Sequence, residues 1–301
     1  MRKGRGLHME GTKVKVDLRS VHETLLLPLW GRAEAAKMKN PVLRDRQAEE
    51  LVGKLDYDFS KFHSQFRRMQ ILVLALRAKE FDSIIRDFIQ DHPRATIVNI
   101  GAGLDTTFYR VNNGSIRWYD LDVPQVIRLR GELLPNSPKA DAIPKSMFDE
   151  SFLDDIESPV DGILFLAGGV LMYFDEPKVR GFLSALARRF PGGEIVFDTI
   201  APSILPMVSR SVRRSGISGA EMKWGIRNTA GMEKWGIGLR LLERYPVSYK
   251  TRLYPSWGFP ICLFMKFNNA FSLININRMA FSRSRKSGEK QNRPDISRKN
   301  P

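Results

Sequence analysis

The sequence predicts an α/β protein: a largely parallel sheet covered by helices on both faces, preceded by a helical N-terminal region. Three observations carry this reading. From Ala95 onward, short apolar runs alternate with amphipathic stretches, and strands alternating with helices build parallel sheets buried on both sides. Two of the apolar runs lead straight into glycines, Gly101-Ala102-Gly103 and Gly168-Gly169. Upstream, apolar residues from Phe66 to Ile89 recur at mostly three- and four-residue steps, the period of a helix.

Taken in order, residues 18–95 read as helical, with a short helix at 44–55 and a long one at 64–90 that His92-Pro93 stops. Between them "DYDFSKF" (56–62) reads as a lid loop. "ATIVNI" (95–100) is the first core strand and "SIRWYDLD" (115–122) the second. A helix over 122–134 follows, with Pro124 in its first turn. "DGILFLAGG" (161–169) is a third strand, 176–190 a helix and "GGEIVFDTI" (193–200) a fourth strand. Further on come a helical segment near 218–235, a helix over 260–270 and a last strand over 272–281. The organisation expected is a flexible basic N-terminus (1–17) and one domain (18–282), made of a helical cap (18–92) and a sheet core (93–282). A polar, disordered tail (283–301) completes it.

The 301 residues are 43% hydrophobic, enough for a sizeable core without staples. Cys262 is the single cysteine, so no intramolecular disulfide forms, which fits a reducing compartment. The opening "MRKGRGLHMEGTKVKV" has no apolar leader. Apolar runs such as "ILVLAL" (71–76) fall far short of the about 20 residues that span a bilayer. A soluble, cytoplasmic protein without a membrane partner is expected. The net charge is +15, yet the first twenty residues contribute +4 and those from Arg278 onward +6. Basic ends of this kind attract polyanions without sequence specificity, so no specific nucleic-acid role is expected.

The glycine pair after the first core strand stands where parallel sheets bind ligands. Glycine permits positive φ and close approach, although a plain tight turn would use it too. A dinucleotide fingerprint would need glycine at 106, where Thr106 stands, and no P-loop pattern occurs. The loop is therefore not built to wrap a pyrophosphate. Asp122 lies 21 residues after Gly101 at the end of the second strand, the place of an acid that accepts from ribose hydroxyls. Asp120, on the same strand face, competes for that role, and Asp122 can alternatively cap the next helix. A ribose acceptor without a pyrophosphate loop points to a nucleoside ligand such as S-adenosylmethionine.

"NIGAGLDTTFYR", "YDLDVP" and "LFLAGGVLMYF", with "LRAKEFD" (76–82) and "GRAEAAKMKNPVLRDRQAEELV" (31–52), resemble the leucine carboxyl methyltransferase family over roughly residues 20 to 282. The resemblance extends to polyketide O-methyltransferase-like members. It implies a seven-stranded, mostly parallel Rossmann-like sheet with an N-terminal helical cap, and S-adenosylmethionine as cofactor. It implies that Gly101 and Gly103 line the methionyl part, with Ala102, Asp105, Leu121, Ala167 and Gly168 beside the cofactor, and that Asp122 holds the ribose. Arg77 would meet a carboxylate of cofactor or substrate, Tyr173 would face the reacting centre, and Arg32 falls near the family's basic N-terminal position. Two departures stand out. Ser146 and Met147 occupy the place of an acid and an apolar residue beside the adenine, and Gly168 replaces a usual glutamate.

The expected activity is methyl transfer to a carboxylate or hydroxyl oxygen of a small, polyketide-like molecule. The alternative is a non-catalytic, cofactor-binding member whose basic tails engage an acidic partner. A carboxylate acceptor needs no general base. None of His8, His22, His63 and His92 lies in the carboxyl-end loops, though His22 and His63 could be presented by the cap. This tilts the expectation toward an anionic acceptor, which the basic stretch between 201 and 238 would also suit. No HExxH and no paired cysteines occur, so no metal is expected.

Overall fold

The computed structural model describes residues 13–15, 23–62, 67–135, 137–214 and 221–282. The expected flexible N-terminus, His8, His22, His63 and the tail from 283 lie outside these residues.

A two-stranded parallel ribbon, β1 (Val14–Lys15) and β2 (Leu55–Asp56), accompanies the N-terminal helices α1 (Leu26–Ala36) and α2 (Arg46–Lys54). These bury Leu26, Leu29, Trp30, Ala48 and Leu51 in one cluster. Asp45 caps α2, its Oδ1 accepting from Ala48 N–H at 3.0 Å. The 56–62 segment is packed rather than a free lid. Its 3-10 turn, Phe59–Phe62, buries Phe62 completely, 5.5 Å from the Trp30 ring, with Tyr57 and Phe59 completing the aromatic cluster. Aromatic rings bury too much apolar area to be left on a loop. The long helix α3 (Arg67–Asp91) ends at His92-Pro93 as expected. It turns Ile71 and Ala75 toward the cap while Leu72, Leu76, Ile84, Ile85 and Phe88 cover the sheet.

The main sheet has seven strands: β3 (Thr96–Ile100), β4 (Arg117–Asp122), β5 (Ala140–Pro144), β6 (Ile163–Ala167), β7 (Glu194–Ile200), β8 (Leu239–Pro246) and β9 (Ile274–Phe281). Their order is β5-β4-β3-β6-β7-β9-β8, and β9 runs antiparallel to both of its neighbours. Strand residues alternate between two cores: Val98, Ile100, Phe165 and Phe197 face one, while Ile97, Leu164, Leu166 and Val196 face the other. Burial on both sides explains why these strands read as unbroken apolar runs. β5 is an edge strand with only Ile143 buried, so it carries no apolar run to announce it.

Between the strands stand α4 (Thr107–Val111), α5 (Pro124–Leu133), α6 (Glu176–Arg189), α7 (Leu205–Arg214) and α8 (Phe259–Phe271). α7 corrects the expectation for the segment after β7. The helix lies at 205–214, not near 218–235, where residues 221–226 have no regular structure and a 3-10 turn covers Thr229–Trp235. Its run of serines and arginines hides a short apolar stripe. The crossover that carries the chain from one side of β3 to the other opens a crevice at the carboxyl ends of β3 and β6. Among the described residues no helix is long and apolar enough to cross a membrane.

Candidate functional site

The loop leaving β3 reaches into that crevice. Gly101 and Gly103 adopt positive φ, 63° and 47°. A Cβ on Gly101 would lie 2.6 Å from Val170 Cγ2 on the loop leaving β6. Position 101 therefore needs glycine for its backbone conformation and for the close approach of the two loops. The loop is bonded to β4 next door: Ala102 N–H donates to Leu121 O at 3.1 Å, and Gly103 N–H to Asp122 Oδ2 at 2.8 Å.

Asp122 also accepts from Val123 N–H through Oδ1 at 2.7 Å. Burial pushes its carboxyl above the usual range, and the two amide bonds work against that rise. The N-cap of α5 is Val123, with no side-chain capping bond. Asp120 is spent elsewhere. It accepts from Trp118 Nε1 at 2.9 Å and Asn99 Nδ2 at 3.0 Å, and it pairs with Arg130. Asp122 borders the crevice and Asp120 does not.

Three arginines hold the loop from behind. Arg130 Nη1 donates to the carbonyls of Ala102, Gly103 and Asp105 at 3.3, 2.8 and 3.0 Å. Arg32 donates to Asp45 Oδ2 at 2.9 Å and to Leu104 O at 3.0 Å. Arg110 forks onto Asp82 at 2.8 and 2.9 Å and reaches Asp45 at 2.6 Å. Thr106, fully buried, donates to Asp45 Oδ2 at 2.6 Å. The D-T-T-F-Y-R run is thus largely a buried polar network, in which each charge has its partner. Asp105 belongs to it, bonded to Thr107 and 3.9 Å from Arg32. Burial opposes its ionisation, but Arg32, Arg110 and Thr107 outweigh that and hold its carboxyl below the usual range.

In front of the loop lies a cavity of about 940 Å³, walled by the strand ends and by α1, α3 and α7. Gly101, Ala102, Gly103 and Asp105 border it on the β3 side, with Leu121 and Asp122 beside them. Ser146 and Met147 form another wall, where Ser146 Oγ accepts from Phe148 N–H at 3.2 Å. Gly168 borders it against Phe81, whose ring would lie 3.3 Å from a Cβ at that position. Ala167 is fully buried in the core and does not border the cavity. Arg32 reaches the wall only as part of the network just described.

At the far end, Arg77 and Tyr173 meet a residue that sequence reasoning missed. Asp198, at the end of β7 and 4% exposed, receives Arg77 Nη1 at 3.2 Å and Gly169 N–H at 2.5 Å. Its one signal was an acid inside the apolar run "EIVFDTI". Burial raises the Tyr173 phenol above its ordinary value, Arg77 opposes the rise and Asp198 adds to it. His92 stands on the surface beside Asp161 at 3.6 Å, away from the cavity. Among the described residues no cluster of ligating side chains is suited to a metal ion.

The leucine carboxyl methyltransferase model matches residues 26–187. The chain is 33% identical to the tetracenomycin polyketide synthesis O-methyltransferase TcmP of Streptomyces glaucescens over 231 residues, 76% of this chain and 84% of that protein. It is 27% identical to the S-adenosyl-L-methionine-dependent methyltransferase dpfgK of Gibberella zeae over 266 residues, 82% of this chain and 89% of that one. Among solved structures, a DUF574 family protein from Streptomyces avermitilis superposes with a TM-score of 0.54 at 14% identity, covering 83% of this chain and 96% of that one. That likeness concerns the fold alone. The chain belongs to the leucine carboxyl methyltransferase family and is an S-adenosylmethionine-dependent methyltransferase of class I fold.

Proposed function

We propose that the protein methylates a carboxylate or hydroxyl oxygen of a small, polyketide-like acceptor. The observation that carries this reading is the cavity in front of the glycine loop, where α3 and α7 bring Met69, Val73, Met207 and Val208 to the same walls as Arg77. The relationship to TcmP supports the acceptor class.

The residues present fit the cofactor. Gly101 and Gly103, both at positive φ, bring the loop backbone to the cavity wall, and Asp122 keeps acceptor capacity beyond its two amide bonds, suited to ribose hydroxyls. Ser146 and Met147 would flank the adenine, and Leu121, Ala102 and Gly168 would complete the walls. Ala167 would support from the core instead of by contact. When bound, S-adenosylmethionine supplies a methyl already activated on a sulfonium.

The protein's part is then alignment and exclusion of water. Holding the reactants in line can be worth ~7–11 kcal/mol. Met207, Val208 and Ile204 bring apolar cover from the segment around α7. The Tyr173 phenol, protonated at neutral pH in any case, is pushed further up by burial. It can therefore donate to an acceptor oxygen and orient it, but not deprotonate it. Among the described residues no histidine borders the cavity. A carboxylate, anionic at neutral pH without help, suits such a site, while Arg77 offers its positive charge to the amino-acid carboxylate of the cofactor.

The test is incubation with S-adenosylmethionine and a panel of aromatic carboxylic acids, phenols, amines and thiols, read by mass spectrometry before and after alkaline hydrolysis. Methyl esters hydrolyse and methyl ethers survive, so the oxygen type is read directly. An oxygen-methylated product is expected. Binding of the cofactor with methylation found only on nitrogen or sulfur acceptors would contradict the proposal.

A further inference from the structure

We propose that Asp198 is a positioning residue, which aims the Arg77 guanidinium at the amino-acid carboxylate of the cofactor. This rests on the cofactor reading above and extends it to a residue with no assigned role. Three elements converge on the pair: Arg77 from α3, Gly169 from the loop after β6, and Asp198 from β7. Asp198 accepts from Arg77 with Oδ2 and from the Gly169 amide with Oδ1, so its carboxylate is fixed from both sides.

The loop closes on the guanidinium. Gly169 has φ 74°, and a Cβ there would lie 2.5 Å from Arg77 Nη1. Only glycine allows this stacking of backbone on charge. Arg77 spends one contact of its planar fork on Asp198, and among the described residues its remaining donors meet no acceptor. Those donors stand at the wall of the cavity, with the side chain 16% exposed. An arginine free of Asp198 would lose this arrangement to its many rotamers, whereas a braced one presents a fixed, two-pronged donor face to a carboxylate.

The experiment compares two ligands by calorimetry. S-adenosylhomocysteine carries the amino-acid part, and 5′-methylthioadenosine keeps the nucleoside and thioether without it. The proteins are the full chain, Asp198→Asn, Arg77→Gln and the double variant. Asp198→Asn is chosen because its amide oxygen still accepts from the Gly169 N–H. It should weaken S-adenosylhomocysteine by about tenfold, the scale of one charge-assisted hydrogen bond. Its affinity for 5′-methylthioadenosine should stay within about twofold. In the Arg77→Gln background the same substitution should change neither ligand, because nothing is left to aim. Equal losses for both ligands would mean that Asp198 merely supports the fold, and would overturn the inference. So would an Arg77→Gln protein that still prefers S-adenosylhomocysteine as strongly as the unaltered chain. Failure of the unaltered, folded chain to bind either ligand would instead overturn the cofactor reading, and the inference with it.

Discussion

Asp120 and Asp122 stand two residues apart on one strand, and the chain uses them in opposite ways. Asp120 is consumed by Trp118, Asn99 and Arg130. Asp122 accepts from two backbone amides and keeps its remaining acceptor capacity toward the cavity. Gly101 is the second decisive residue, because its φ of 63° and its approach to Val170 both exclude a side chain. Gly101→Ala should destabilise the fold by about 1–3 kcal/mol through left-handed strain and the clash with Val170. The measurement is urea unfolding of the two proteins side by side. An unchanged midpoint would show that the loop relaxes freely, contrary to the geometry described here.

At the level of elements, the ligand loop owes its shape to residues behind it. Arg130 from α5 gathers three of its carbonyls, and Arg110 from α4 bridges Asp45 at the start of α2 to Asp82 on α3. One polar network thus joins the N-terminal cap to the sheet. Both aspartates are at most 1% exposed at the side chain. Removing the positive charge leaves them buried without it. Arg110→Met should therefore cost about 3–5 kcal/mol of folding stability. Arg110→Lys should rescue it only in part, since a lysine lacks the fork that holds Asp82 through both oxygens. A methionine variant as stable as the unaltered protein in urea would show that the network contributes nothing net.

For the molecule as a whole, the strand and helix alternation, the glycine loop and Asp122 were legible in the sequence because each depends on local pattern. Periodicity announces buried strands and α3, and a glycine pair after a strand announces a crevice. What stayed hidden depends on distant partners. Thr106 and Asp45 are 61 positions apart and Arg77 and Asp198 are 121 apart, so neither pair leaves a local trace. β5 was hidden because an edge strand with one buried side chain has no apolar run, and α7 because its serines and arginines mask the stripe that faces the cavity. Ala167 was placed at the cofactor by resemblance, but alternation along β6 turns it into the core. The segment at 56–62 reads as a lid loop because the partner of its aromatics is distant in sequence: Phe62 packs on Trp30, and Tyr57 on Phe62.

Everything proposed above depends on S-adenosylmethionine binding in the crevice between Gly101 and Asp122. Calorimetric titration of the full chain with S-adenosylmethionine, beside Asp122→Ala, tests it most directly. Saturable one-to-one binding by the unaltered protein is expected. The variant, whose ribose partner is gone, should lose about tenfold or more in affinity with the fold intact by circular dichroism. Equal affinity in the two proteins would contradict it.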